Sequence, residues 1–210
     1  MTDEKPFFSI AGASGDCPVT ARLKIRRSEF ICRLARTDTI DAAKAFITKI
    51  SRENKTATHN CWAYVVGDAG RICHSSDAGE PSGTAGKPML NVLTSHQMTR
   101  VTAVVTRHYG GVKLGVRGLI EAYSEAVEAA LSTAKKVRLI QAESLKVQVP
   151  YECNDQVLHH AHQFNAAIAN TEYREWIVHE ILVEKSRARA FVQLLSQFEP
   201  QGLKIRLKSD

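Results

Sequence analysis

The chain has 210 residues, 44% hydrophobic and 24% charged, which excludes a disordered polyelectrolyte and leaves enough apolar side chain for a substantial core. No apolar run reaches the roughly 20 residues that span a bilayer, and Met1-Thr2-Asp3-Glu4-Lys5-Pro6 lacks the basic-then-apolar layout of a secretion signal, so a cytoplasmic protein is expected. The net charge of +6 is uneven, residues 1–141 holding 20 Lys+Arg against 13 Asp+Glu (+7) and residues 142–210 holding 8 against 9 (−1), so the first part is the one suited to a polyanionic partner.

Residues 1–18 show little periodicity and contain Gly12, Gly15 and Pro18, which predicts a loose N-terminal extension. Arg22-Leu23-Lys24-Ile25-Arg26 alternates basic with apolar and Phe30-Ile31-Cys32-Arg33-Leu34 continues in strand-like composition, giving a strand pair or one bent strand with Arg22, Lys24 and Arg26 on one face. Asp38 or Thr39 caps a helix in which Ala42, Ala43, Phe46, Ile47 and Ile50 recur at helical spacing. Cys61 to Val66 reads as a strand and Arg71 to His74 as its antiparallel return across Gly67-Asp68-Ala69-Gly70.

Two glycine-rich loops follow, and seven of the twelve glycines fall between Gly79 and Gly118. The first, Asp77-Ala78-Gly79-Glu80-Pro81-Ser82-Gly83-Thr84-Ala85-Gly86-Lys87-Pro88, leads into a helix with Met89, Val92, Leu93 and His96 on one face. Val101 to Thr106 is a buried strand. The second loop, Arg107-His108-Tyr109-Gly110-Gly111-Val112-Lys113-Leu114-Gly115-Val116-Arg117-Gly118, leads into a long helix with Leu119, Ile120, Tyr123, Val127, Ala130 and Leu131 inside and Glu121, Glu125 and Glu128 outside. Lys135-Lys136-Val137-Arg138 is expected to end that helix, cations being favoured there by the helix dipole.

A boundary near Leu139 to Ala142 separates a first domain, 19–140, from a second, 141–210. The second restarts the pattern with strands near 145–149, 166–171, 176–184 and 203–207 and helices near 154–164 and 186–198, the β-α-β-β-α-β order of a ferredoxin-like unit in an α+β chain. Lys204, Arg206 and Lys208 line one face of its last strand, where charge guards an edge against strand-to-strand pairing.

Neither loop is a nucleotide cradle. Counting back from Gly86-Lys87, Pro81 stands where a phosphate-binding loop needs its first glycine, and Pro88 stands in place of the magnesium-holding Ser or Thr. Glycines 110, 111, 115 and 118 do not spell Gly-x-Gly-x-x-Gly. What remains is an anion-binding corner: free N–H groups near Lys87 and Val116, with Lys87, Arg100, Arg107, Lys113 and Arg117 supplying charge. The opposing reading is that glycines permit tight turns and the cations face water.

A hydrolase site around His59, Asp77, Glu80, Lys87 and Arg107 is an alternative, with Glu80 as acid or base and Arg107 stabilising developing negative charge. The five cysteines, at 17, 32, 61, 73 and 153, are never spaced Cys-x-x-Cys, and His159, His160 and His162 read as a solvated helix face, so neither metal nor cofactor is expected.

Ala57-Thr58-His59-Asn60-Cys61-Trp62-Ala63-Tyr64, the stretch Ser76 to Leu90 and the stretch Val105 to Gly115 resemble the motifs of the IMPACT/YigZ family over roughly residues 27–131. The matching loop positions are His59, Asp77, Gly79, Glu80, Pro81, Ser82, Gly83, Thr84, Gly86, Tyr109, Gly110, Gly111 and Gly115. The resemblance implies an N-terminal domain similar to domain IV of elongation factor G and a small-subunit ribosomal protein. It also implies a ferredoxin-like C-terminal domain like that of the two-domain bacterial branch. A non-enzymatic, translation-linked regulator is implied, with RNA or a ribosome-associated protein as partner; a protein-interaction module is the blander option. The chain departs from the family pattern at Ala78, where an Asp is common, at His108-Tyr109 in place of Tyr-Phe, and at Arg117 in place of glycine. Ala78 weakens any paired-acid site, and Arg117 adds a cation to the second loop.

Overall fold

A five-stranded sheet covered on both faces shapes the first part of the molecule. The computed structural model describes residues 6–67 and 70–207; Asp68 and Ala69 of the expected turn, Lys208, and the first five residues lie outside the described residues. The chain divides into two compact units, Met1–Leu139 and Ile140–Asp210.

In the first unit β1 is Phe7–Ile10, β2 Val19–Ile25, β3 Ser28–Arg36, β4 His59–Val66, β5 Ile72–Ser76 and β6 Val101–His108. Strands two to six form an antiparallel sheet in the order β2-β3-β6-β4-β5. Helix α1, Ile40–Glu53, starts where the Thr39 side chain accepts the Ala42 N–H, and it covers one face through Ala43, Phe46 and Ile50. Helices α2, Gly86–Ser95, and α3, Gly115–Thr133, cover the other. There Met89, Leu93, Tyr123 and Val127 pack on Phe30, Cys32, Leu34, Cys61, Ala63, Val101, Ala103 and Val105.

Three expectations change here. Residues Phe7–Ile10 of the expected loose extension form β1, which pairs with Lys136–Leu139, here β7. Burial explains the order at this end of the chain, Ile10 being fully enclosed in the sheet's core. By the same pairing Lys136-Val137-Arg138 is strand rather than helix end: α3 stops at Thr133, and Val137 alternates with exposed cations. Arg26 is not on a strand face. With Arg27 it makes the turn between β2 and β3, both residues at positive φ (43° and 72°).

The second unit runs β8 Ala142–Val149, α4 Asn154–Gln163, β9 Ala167–Tyr173, β10 Ile177–Glu184, α5 Lys185–Leu195 and β11 Lys204–Leu207. This is the β-α-β-β-α-β order expected, in an antiparallel sheet ordered β11-β8-β10-β9. Its core gathers Leu145, Val147, Ile181, Val183, Phe191 and Leu195. His179 is buried within it, its Nδ1 2.9 Å from the Thr171 hydroxyl and its Nε2 2.9 Å from the Asn154 amide oxygen.

Candidate functional site

Sheet register brings the two glycine loops together. Phe30 and His59 both pair with Arg107, so the three stand in one row across β3, β6 and β4 on the face covered by α2 and α3. Over that row folds Glu80. Its Oε1 accepts from Arg107 Nη1 at 2.6 Å and from the Tyr123 hydroxyl at 2.8 Å, and its Oε2 lies 4.0 Å from His59 Nε2. The Glu80 and Arg107 side chains are 3% and 6% exposed, so this ion pair is largely shielded from water.

The guanidinium of Arg107 also lies over the rings of Phe30 and Tyr109, 5.3 and 5.4 Å from their centroids, and Nη2 donates to Ser28 Oγ at 3.4 Å. Its Nε is buried with no hydrogen-bond partner. Cys61 Sγ sits 2.8 Å from the Asp77 carbonyl oxygen and 3.3 Å from the Tyr123 hydroxyl. Burial pushes that thiol up to about 12. Burial likewise raises the Tyr123 phenol, with the neighbouring Cys61 and Glu80 adding to it. Both groups therefore stay protonated near neutrality, and Cys61 lacks the thiolate a nucleophile needs. The hydrolase reading required Glu80 and Arg107 to face substrate; here each neutralises the other inside the fold.

The first loop closes on itself. Asp77, at the end of β5, accepts the N–H groups of Gly83 at 2.8 Å, Ala85 at 2.9 Å and Gly86 at 2.8 Å. Desolvation opposes its charge, but these three bonds outweigh that effect and hold its carboxyl below the usual range. The amides near Lys87 that sequence reading left free for a phosphate are thus occupied by the chain's own carboxylate. Gly86 is needed for this approach, because a Cβ there would lie 2.7 Å from the Ser76 backbone nitrogen.

The second loop stays open. Gly110 presses against the Arg26–Arg27 turn, where a Cβ would overlap the Arg27 carbonyl oxygen, and its N–H donates to Ser28 Oγ at 3.3 Å. Tyr109 N–H donates to Thr58 Oγ1 at 3.1 Å. Helix α3 then begins without a side-chain cap and without an acidic residue in its first turn. Lys113 is exposed, and Arg117, 91% exposed, pairs with Glu121 one turn along at 2.8 Å.

Of the five cations expected to supply charge to an anion-binding corner, the structure therefore groups only some. Lys113 and Arg117 flank the start of α3, and Lys87 stands exposed at the start of α2. Arg107 is consumed by Glu80. Arg100 precedes β6 and lies 3.7 Å from Asp38, roughly 25 Å of extended strand from the second loop. In exchange the fold supplies Arg26 and Arg27, both exposed. The adjacent Arg-Arg pair between two strand-like runs was the available signal, obscured because the basic-apolar alternation runs into Arg26.

Between α3 and the Arg26 turn lies a surface groove of about 300 Å³ lined by Ile25, Arg26, Leu114, Arg117, Glu121 and Glu125. Among the described residues no cluster of three His, Cys, Asp or Glu side chains has the arrangement of a metal site, and no helix is long and apolar enough to cross a membrane.

Residues 26–131 match the model of the Impact N-terminal domain. The IMPACT family member YigZ of Escherichia coli is 35% identical over 190 residues, 90% of this chain and 93% of that protein. YvyE of Bacillus subtilis, also an IMPACT family member, is 36% identical over 173 residues, 82% of this chain and 80% of its own. A crystal structure of a hypothetical protein superposes with a TM-score of 0.65 at 32% identity, covering 98% of each chain.

Proposed function

Because the chain belongs to the IMPACT family, we propose that it is a non-enzymatic, translation-linked factor of the cytoplasm whose first unit binds RNA. The observation that carries this reading is the end of the sheet where Arg26, Arg27, Lys113 and Arg117 surround the uncapped start of α3. A helix N-terminus without a carboxylate nearby presents unpaired N–H groups and the positive end of the dipole, and exposed arginines add the geometry that phosphates favour. Glu121 and Glu125 on the next turns limit the charge, so the surface suits a few phosphates rather than a long polyanion track. The second unit, whose strand order is ferredoxin-like, has no basic excess and serves as an accompanying domain.

Fluorescence anisotropy of the full chain with a labelled RNA, titrated across salt, tests the proposal. Affinity should fall steeply with salt, and replacing Lys113 and Arg117 together by Ala should flatten the log-log slope by about 1.4, roughly 0.7 for each phosphate contact on a single strand. Absence of binding at low salt, or an unchanged slope in the double variant, overturns it.

A further inference from the structure

Ile120 was expected inside α3 but is 38% exposed, and Val116, one turn earlier on the same side, is 61% exposed. Ile120 lines a second groove, of about 370 Å³, between α2 and α3. Its apolar lining comes from Pro88, Val92 and Ile120, and its polar lining from Lys87, Asn91 and Ser124. Lys87 is the one charged side chain among the residues lining it, with no acid to oppose it. Ser95, also at the rim, spends its hydroxyl on the Val92 carbonyl at 2.9 Å. Lys87, Asn91 and Ser124, by contrast, make no side-chain hydrogen bond or ion pair among the described residues. Ile120 and Ser124 lie three and seven residues beyond Arg117, so the groove and the cationic end occupy adjoining faces of α3.

We propose that this groove receives an unpaired base of a single RNA strand, with Lys87 on the adjoining phosphate, so that the first unit reads single-stranded rather than duplex RNA. The proposal rests on the RNA-binding reading of the cationic end and extends it to the adjoining face of α3. Three features select this occupant. The lone cation without an opposing acid favours a phosphate-bearing ligand. A carboxamide free of protein partners can donate and accept in one plane, which is what a base edge demands. The volume is at the small end of ligand sites and offers one apolar patch rather than the row of anchors that an amphipathic peptide helix needs. In A-form duplex RNA the bases are stacked and paired and the major groove is too deep and narrow for side chains to read, whereas splayed single-strand bases can enter a pocket.

The experiment compares three labelled ligands of equal length on the full chain: a single-stranded 12-nucleotide RNA, the same strand with abasic sites, and a duplex. Wild-type protein should bind the intact single strand at least about fivefold more tightly than the abasic one or the duplex, the lower end of what a specific base contact contributes. Asn91→Ala, which removes the base-edge contact, and Ser124→Trp, which fills the groove, should each bring the intact strand down toward abasic affinity. Lys113→Ala with Arg117→Ala should weaken both strands alike. Equal binding of intact and abasic strands, a preference that survives both groove variants, or competition by an acidic peptide alone overturns the groove assignment while leaving salt-dependent RNA binding in place. Failure of wild-type protein to bind any of the three ligands at low salt overturns both.

Discussion

The two glycine loops share a grammar: each follows a strand, carries a cation and opens a helix, yet the fold gives them opposite electrostatics. In the first, Asp77 reaches across the loop and satisfies the amides of Gly83, Ala85 and Gly86, so the start of α2 is filled from within. In the second no residue plays that part, and α3 begins uncapped beside Lys113 and Arg117. One carboxylate at the end of the preceding strand is the difference. A helix N-terminus is an anion site only when the chain has not already supplied the anion.

One buried pair ties the first loop to the sheet and, through Tyr123, to α3, so the largest effect should come from breaking it. Arg107→Ala leaves the Glu80 carboxylate buried against Tyr123 with no counter-charge, and should destabilise the first unit by about 3–5 kcal/mol in chemical denaturation. A loss comparable to that of an exposed ion pair would show that water reaches Glu80 and that the loops are pinned independently.

Asp77→Ala is the next largest. It should cost about 1–2 kcal/mol, as loss of a helix cap does, and should make the first loop resemble the second by freeing its amides. The wild-type contribution is pH-dependent with a definite sign. The folded carboxyl titrates below the ordinary value of 3.8, so its stabilisation is complete above that value and disappears as pH falls through the lower folded one. Asp77→Ala should therefore lie below wild type at pH 6 and approach it in strong acid. A constant gap across that range contradicts the capping role.

The smallest expected effect runs the comparison the other way. Val116→Glu places an acid in the first turn of α3, where the exposed site accepts it, and should stabilise the helix by about 0.3–1 kcal/mol. RNA affinity should fall at the same time. Unchanged RNA affinity would mean that the open helix start is not part of the binding surface.

Most regular elements were legible because burial leaves a pattern: a continuous apolar run along β6, alternation along the edge strand β2, and a period close to 3.6 along α1 and α3. The pair β1 and β7 was not, since four-residue strands are too short to show a period, and the cations of Lys136 and Arg138 equally suit a helix end. At the site, Asp77, Glu80 and Arg107 stood out as residue types, but their partners did not. Tyr123 read only as a core residue of α3, because its hydroxyl finds Glu80 through a contact 43 residues away in sequence. Ile120 fitted the same apolar stripe and became visible as a groove residue only once α2 lay beside it.

What the amino-acid sequence determined alone was local: the elements, the excess of positive charge before residue 142, the failure of both loops as nucleotide cradles, and the motifs shared with the IMPACT family. The tertiary structure decided which charges meet water. Register set Arg107 beside His59 and beneath Glu80, where desolvation makes pairing obligatory, and the turn at Arg26 and Arg27 carried two new cations to the second loop. Charge is a property of a residue, whereas availability of that charge is a property of its neighbours, and the neighbours that matter here lie far away in sequence.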